Sequence, residues 1–195
     1  QNKIINQFQL LEDEVGKENK TKTKKFVKRE WAKKNKSEGG GTSYLLSGGE
    51  LFDKVGVNQS TVTGQFEKSF RSKILGAEKN GKYWASGISI VAHMKNPKIP
   101  AFHFNTRFIV TSQEWFGGGM DVTPSFKDAK EKLIIHQKLK KICLSNHKDY
   151  NKYKKWCDNY FYLPHRKESR GIGGIFFDYE TKNWEKNFKF IQELG

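Results

Sequence analysis

The feature that most constrains the fold is a pair of alternating segments that flank a proline-containing connection. Over residues 87–93 and 101–108, apolar side chains recur at every second position. A period of two is typical of β-strands with one buried face, and the Asn-Pro step at 96–97 predicts a turn between them. An antiparallel hairpin with its apex at this step pairs residues whose numbers add to about 194, which places Ser89 opposite Asn105.

The hairpin predicts a polar sheet face that is suited to binding an anion. Directly opposed residues share a face, so this face is expected to contain Ser89, His93, His103, Asn105 and Arg107. Arginine binds carboxylates through paired hydrogen bonds, and histidine titrates near neutral pH. The two histidines also leave a metal site open, provided that the fold brings His136 and His165 to them.

A second unusual segment contains three consecutive glycines, residues 117–119, followed closely by Asp121. Glycines allow backbone N–H groups to approach a ligand that a Cβ atom would block, and they are equally compatible with a loose loop. Asp121 is placed to accept hydrogen bonds from an N–H-rich ligand, or to act as a base if burial raises its pKa. Cys157 has no histidine nearby in sequence, so it is expected to be a buried structural thiol.

The rest of the chain predicts an α+β domain. Helical spacing of apolar residues predicts four helical regions, namely 3–13, Lys22–Lys34, 127–161 and a last helix from Trp184. Strands are expected within 42–65 and 82–110 and after the glycine turn at 171–174. We divide the chain into a basic helical arm, residues 1–38, and a main domain, residues 39–195.

Charge and composition leave several function classes open. The net charge is +15, and ten basic but only two acidic residues lie between Lys17 and Lys36. This run predicts a solvated helical face or a polyanion site, so a basic nucleic-acid-binding protein is one alternative. The histidines leave a metal-dependent hydrolase as another alternative. No apolar run is long enough for a transmembrane helix, and two cysteines are too few for a disulfide scaffold, which favours a reducing cytoplasm.

Six runs of residues together carry a family resemblance: Gly39–Gly41, Val55–Ser60, Gly87–His93, Asn96–Pro97 with His103–Arg107, Trp115–Pro124 and Lys155–Asp178. They resemble the oxygen-dependent coproporphyrinogen III oxidases of haem biosynthesis. The resemblance implies a flat antiparallel sheet flanked by helices on both faces, in a homodimer. Because members of this family extend beyond the position of Gly195, the chain is expected to lack their C-terminal part, and residues 39–195 to form the family's domain.

The resemblance also implies a reaction. In it, O2 oxidatively decarboxylates two propionates of coproporphyrinogen III to vinyl groups, which gives protoporphyrinogen IX, CO2 and peroxide without an organic cofactor. Asp121, His103 and Arg107 are the expected catalytic residues: Asp121 holds the pyrrole N–H groups and helps to deprotonate one, and His103 is the proton donor. The implied substrate-binding residues are Ser89, Asn105, Thr106 and Arg107. A divalent metal such as Mn²⁺, bound by His93, His103, His136 and His165, is one alternative, and a reaction without metal is the other.

Overall fold

The computed structural model describes residues 1–126 and 128–195, which form a seven-stranded antiparallel sheet, a small hairpin and five α-helices. The helices are α1 (Asn2–Asn19), α2 (Lys68–Arg71), α3 (Ala129–Ser145), α4 (Tyr150–Tyr160) and α5 (Trp184–Leu194). The strands are β1 (Val27–Ala32), β2 (Gly39–Ser47), β3 (Phe52–Gln65), β4 (Lys82–Met94), β5 (Ala101–Val110), β6 (Glu114–Thr123), β7 (Tyr162–Leu163), β8 (Glu168–Ser169) and β9 (Gly173–Glu180). The large sheet has the order β1-β2-β3-β4-β5-β6-β9, and β7 pairs with β8.

The central hairpin of β4 and β5 has the predicted register. Ser89 pairs with Asn105, and Val91 pairs with His103. The prediction is confirmed: the period-two pattern excludes every register that is shifted by an odd number of residues, and the turn after β4 selects one of those that remain. The next strand continues this register, with His103 opposite Asp121.

One face of the sheet forms the hydrophobic core together with the helices. The buried cluster combines sheet residues such as Ile90, Phe104 and Phe177 with Leu139 of α3 and Phe190 of α5. Burying a side chain of the size of phenylalanine stabilises the fold by about 1.5–3 kcal/mol. The α+β class and the antiparallel sheet are therefore confirmed.

The opposite face of the sheet is open over β1 to β5. Ser89, Val91 and His93 alternate with buried residues of β4 and are themselves exposed, Val91 by 38%. Helices α1, α3, α4 and α5 contribute side chains to the core on the other side, so these four helices cover that face of the strands. We call the uncovered side the open face.

Helix α1 is fixed to the sheet by a buried carboxylate. Glu12 is 0% exposed and accepts hydrogen bonds from the backbone N–H groups of Glu50, Leu51 and Phe52 at 2.6, 3.0 and 3.2 Å. Gly49 makes this possible, since a Cβ atom there would lie 2.5 Å from the Glu12 carboxylate. The carboxylate thus accepts hydrogen bonds from backbone N–H groups at the turn between β2 and β3, and these groups would otherwise be without partners.

The predicted helix over Lys22–Lys34 is wrong. Helix α1 ends at Asn19 and is followed by Lys20, whose φ of 55° is left-handed. Residues 27–32 form strand β1 along the edge of the sheet. Trp31 pairs with Gly41, so the glycine run at 39–41 begins strand β2. The segment carries a period-two pattern as well as a helical one, and pairing with β2 supplies backbone hydrogen bonds that decide between them.

Lysines of the basic run pair locally in several places. Lys25 binds Asp13 at 2.7 Å, and Lys28 binds Glu30 at 2.6 Å. Such ion pairs are typical of an ordinary solvated protein surface, and they neutralise part of the positive charge of the run. They therefore do not support the nucleic-acid-binding alternative. None of the helices in residues 1–126 and 128–195 has the length and apolarity needed to cross a bilayer.

Candidate functional site

Asp121 is a buried carboxylate on the strand next to the open face. It lies on β6 directly opposite His103 of β5, and it is 4% exposed. Its Oδ2 atom accepts a 2.7 Å hydrogen bond from Nη2 of Arg170 and lies 3.5 Å from Nδ1 of His103. The Nδ1 atom of His103 is buried and has no hydrogen-bond partner among the described residues.

The neighbours of Asp121 keep it ionised. Burial acts to raise the pKa of this carboxyl group, but His103 and Arg170 outweigh burial and lower the pKa below its usual value. The pKa of Asp121 is therefore lowered in the protein alone, and the condition under which it would act as a base, a pKa raised by burial, is not met. In this state Asp121 is a carboxylate whose chemistry is to accept hydrogen bonds.

Arg170 is positioned by the turn that precedes β9. Its backbone N–H donates to the carbonyl of Phe161 at 2.9 Å, and its guanidinium lies 3.9 Å from the centre of the Phe161 ring. The next residue, Gly171, has a φ of 62°, a conformation that favours glycine. Sequence reasoning missed the pairing of Arg170 with Asp121, because the two residues are 49 positions apart. The only hint in the sequence is that Arg170, one of five arginines in the chain, directly precedes the glycine turn at 171–174.

Arg107 takes part in a second polar cluster, which is only partly buried. Its Nη2 atom donates to Asp178 at 2.6 Å, and the same carboxylate accepts from Nε1 of Trp115 at 2.9 Å. Gly117 provides the space, because a Cβ atom there would lie 2.3 Å from Oδ1 of Asp178 and 3.0 Å from Nε of Arg107. Asp178 thus orients the arginine, and it too was missed as a site residue.

The glycine run is therefore part of a strand, and the loose-loop reading of residues 117–119 is wrong. Protein atoms fill the space that the absent Cβ atoms leave. A Cβ atom on Gly118 would lie 2.6 Å from the carbonyl oxygen of Asn105, and one on Gly119 would lie 2.7 Å from that of Ile175. Glycine inside a strand commonly marks such a close approach, so these glycines bring strands and side chains together.

The predicted carboxylate-binding residues lie on β4 and β5. Ser89 and Asn105 are directly paired, and the Oδ1 atom of Asn105 accepts a 3.4 Å hydrogen bond from Nη1 of Arg107. These three residues share the open face with His103. Thr106 does not, because the alternation of a strand turns position 106 toward the opposite, helix-covered face.

The structure does not bring the four histidines together. The rings of His93 and His103 are neighbours, with centroids 5.9 Å apart. His136 lies on α3, where Nε2 is 2.7 Å from the carbonyl of Ile172 and Nδ1 is 2.8 Å from the hydroxyl of Tyr150.

Both ring nitrogens of His136 are thus engaged, and His165 is exposed between β7 and β8. In the described part of the chain no three His, Cys, Asp or Glu side chains are grouped as metal ligands. The residues do not fit a four-histidine metal site.

The cysteines are structural. Cys143 and Cys157 are both buried and unpaired with each other. Burial raises the pKa of Cys143 to about 11 and that of Cys157 to about 12, with the charge of Asp121 adding to the latter effect. The prediction that Cys157 is a buried thiol is confirmed, since such a group is almost entirely protonated at neutral pH and is a poor nucleophile.

The arrangement can bind a ligand that carries N–H donors and carboxylates together. Asp121 on β6 offers a charged acceptor of hydrogen bonds. Donors lie on the two neighbouring strands: Ser89 on β4, and Asn105 and Arg107 on β5. A guanidinium has five N–H donors, of which Asp178 and Asn105 use two. The remaining donors are available to an anion.

Comparison with known proteins yields consistent matches. A sequence model of the family described as coproporphyrinogen III oxidase matches residues 1–195. Oxygen-dependent coproporphyrinogen-III oxidase of Rickettsia bellii (strain OSU 85-389) is 49% identical over 194 residues, which cover 98% of this chain and 68% of that protein. The enzymes of the same name from Rickettsia akari (strain Hartford) and Rickettsia rickettsii (strain Sheila Smith) are 48% and 47% identical, with the same coverage.

Proposed function

This chain belongs to the coproporphyrinogen III oxidase family, and we propose that it oxidatively decarboxylates coproporphyrinogen III on the open face of its sheet. One observation supports this site above all: Asp121 is a buried carboxylate that lies opposite His103. Its hydrogen bond from Arg170 helps to keep it ionised. The relatives are named as oxygen-dependent enzymes, so O2 is the co-substrate.

Asp121 binds the centre of the substrate. A porphyrinogen presents several pyrrole N–H donors around one macrocycle, and a single carboxylate can accept more than one of them. Arg170 occupies one side of Oδ2 at 2.7 Å and leaves other lone pairs of the carboxylate for the pyrroles. The ion pair stabilises the charged form, so no proton has to leave Asp121 before the substrate binds.

Arg107, Ser89 and Asn105 bind a propionate that reacts. Arginine holds a carboxylate through two parallel hydrogen bonds, and the contact with Asp178 at 2.6 Å fixes the orientation of the guanidinium before the substrate arrives. Such preorganisation reduces the entropic cost of placing the reacting group. His103 lies between this site and Asp121, where it can donate or accept a proton.

The reaction balances without an organic redox cofactor. Each propionate side chain loses CO2 and the equivalent of a hydride, and the two carbon atoms that remain form the vinyl group. O2 accepts the two electrons and, with the hydride-equivalent proton and one further proton, becomes H2O2. We assign the further proton to His103. The described histidines do not form a metal site, so each of these steps is assigned to protein side chains and O2.

Turnover of coproporphyrinogen III tests this function. The chain is incubated with the substrate in air, and the mono- and divinyl products are separated by HPLC and identified by mass spectrometry. Product above the autoxidation blank is expected, and Asp121→Asn is expected to abolish it. Asp53→Asn is the matched control, because Asp53 is exposed on β3. Wild-type turnover by Asp121→Asn would remove Asp121 from the mechanism.

We further propose that the protein acts as a homodimer in the cytoplasm. Trp184 and Phe188 of α5 leave apolar surface exposed, by 43% and 40%, that a second copy can cover. The unpaired thiols fit a reducing compartment. Sedimentation equilibrium of the purified chain tests the dimer, which a purely monomeric result would contradict; fractionation of the producing cell tests the compartment.

A further inference from the structure

Arg170 reaches Asp121 from a segment that is rich in glycine. Gly171 and Gly173 have φ values of 62° and 80°, a left-handed conformation that glycine adopts readily. Glycine also has more backbone freedom to lose on folding than any other residue, so such a turn keeps one shape only where other contacts fix it. The contacts that fix this turn therefore decide where the Arg170 guanidinium lies.

Ile172, within this turn, is bound through both of its backbone polar groups. Its N–H group donates a 3.1 Å hydrogen bond to the carbonyl of Val122, the residue that follows Asp121. Its carbonyl accepts a 2.7 Å hydrogen bond from Nε2 of His136. The first bond attaches the turn to β6, and the second attaches it to helix α3. Ile172 is buried, so a lost partner is not simply replaced by water.

The two ring nitrogens of His136 have defined roles. A carbonyl oxygen can only accept a hydrogen bond, so Nε2 carries the hydrogen that the Ile172 carbonyl accepts. In the neutral ring Nδ1 then accepts from the Tyr150 hydroxyl at 2.8 Å. Leu139, about one turn further along the same face of α3, belongs to the hydrophobic core. The imidazole is therefore carried by a packed helix, and neither nitrogen has a lone pair left for a metal ion.

We propose that His136 is a positioning residue and not a metal ligand. Through the carbonyl of Ile172 it keeps the glycine turn in the shape that places Arg170 against Asp121. The contact itself depends on the fold alone. Its consequence for turnover rests on the proposed function, in which Asp121 has to be fixed in place before the pyrrole N–H groups reach it.

Urea denaturation of the full chain tests whether His136 acts through Arg170. The amide nitrogen of glutamine is as many bonds from Cα as Nε2 of histidine and can donate to the Ile172 carbonyl, whereas that of asparagine is one bond closer to Cα. In the wild-type and His136→Gln backgrounds, Arg170→Gln is expected to lower the urea midpoint by about 1 M at pH 7. In the His136→Asn background we expect less than about half of that loss, because Arg170 is no longer fixed at Asp121.

Gln137→Asn is the matched control. Gln137 is the next residue of α3 and is exposed, and the change shortens glutamine to asparagine as between the two His136 variants. In this background the Arg170→Gln loss is expected to stay at about 1 M, which separates lower helix propensity from lost positioning. Equal Arg170→Gln losses in the His136→Asn and His136→Gln backgrounds would overturn the proposal.

Two further measurements decide the question even if His136→Asn does not fold. Tyr150→Phe removes only the donor to Nδ1, and the Arg170→Gln loss is expected to be smaller in this background than in wild type; an unchanged loss would count against the proposal. A metal ion that binds the native protein raises its urea midpoint. Excess Mn²⁺ is expected to leave the midpoint of wild type unchanged, and a midpoint that Mn²⁺ raises in wild type but not in His136→Gln would overturn the proposal.

Turnover of coproporphyrinogen III tests the consequence for the site. His136→Asn and Arg170→Gln are each expected to lower kcat at least about tenfold, because a carboxylate that is not held in place loses its preorganisation. The double variant is expected to lose no more than either single variant, and His136→Gln to stay within about threefold of wild type. Additive losses would overturn the positioning role. A wild-type chain without turnover would contradict the proposed function alone, and the urea midpoints would still decide the role of His136.

Discussion

Replacing Arg170 with glutamine is expected to destabilise the protein by about 2 kcal/mol at pH 7. Arg170 donates a 2.7 Å hydrogen bond to Asp121, whose side chain is almost completely buried. A hydrogen bond to a charged group contributes about 1.5–3 kcal/mol. The lower part of this range applies, because the Arg170 side chain is 35% exposed and solvent screens its charge.

The loss is expected to depend on pH in a defined direction. Burial acts to raise the pKa of Asp121, but His103 and Arg170 lower it in the folded protein. A depressed pKa stabilises the fold above the unfolded-state value of about 3.9, and the contribution disappears as the pH falls through the folded-state pKa. The difference between wild type and Arg170→Gln is therefore full at pH 7 and shrinks on acidification below about pH 4.

Urea denaturation followed by circular dichroism measures this effect. With a slope of about 2 kcal/mol per molar urea, the midpoint is expected to fall by about 1 M at pH 7 in the variant. Arg166→Gln is the control, since Arg166 binds Glu168 at 2.8 Å but is 61% exposed and is expected to contribute less than about 0.5 kcal/mol. An equal loss in both variants, or a difference that does not change with pH, would show that the hydrogen bond between Arg170 and Asp121 does not stabilise the fold.

Three further predictions concern stability and thiol chemistry. Glu12→Gln removes a buried carboxylate that accepts three backbone hydrogen bonds, and it is expected to lower the free energy of unfolding by about 2–3 kcal/mol in urea titrations. Gly117→Ala is expected to cost about 2 kcal/mol in the same assay, because its Cβ atom would collide with the adjacent ion pair. At pH 8, Cys143 and Cys157 are expected to react with Ellman's reagent only after unfolding, since burial raises both pKa values.

Each of these predictions has a result that would contradict it. For Glu12→Gln it is an unchanged midpoint, which would mean that the neutral amide satisfies the turn equally well. Gly56→Ala serves as the control for Gly117→Ala, because a Cβ atom at position 56 has open space. If both variants lose the same free energy of unfolding, the loss comes from replacing any strand glycine and not from a collision with Arg107 and Asp178. Rapid modification of both thiols in the native protein would contradict their burial.

The hairpin could be predicted from sequence because its signal is local. Alternation in β4 and β5, together with one turn, determines which residues oppose each other, and the pairing of Ser89 with Asn105 follows. Strand β1 could not be predicted in this way. Its apolar residues satisfy both a helical and an extended pattern, and only pairing with β2, which lies beyond the next turn, selects the strand.

The site was only partly predictable for a related reason. Asp121 and His103 were singled out by their segments, and the register of two neighbouring strands brings them together. Their partners come from far along the chain: Arg170 reaches Asp121 across 49 positions, and Asp178 reaches Arg107 across 71. A pattern within one segment contains no information on such contacts, and the same limit explains why the glycines resembled a loop.

A crystal structure of this chain with coproporphyrinogen III, grown and frozen without O2, is the most direct test of where the substrate binds. We expect the macrocycle on the open face, with pyrrole N–H groups within hydrogen-bond distance of Asp121 and a propionate on Arg107. Asp121 would still be paired with Arg170. A macrocycle bound on the helix-covered side, or one whose N–H groups are turned away from Asp121, would contradict this expectation.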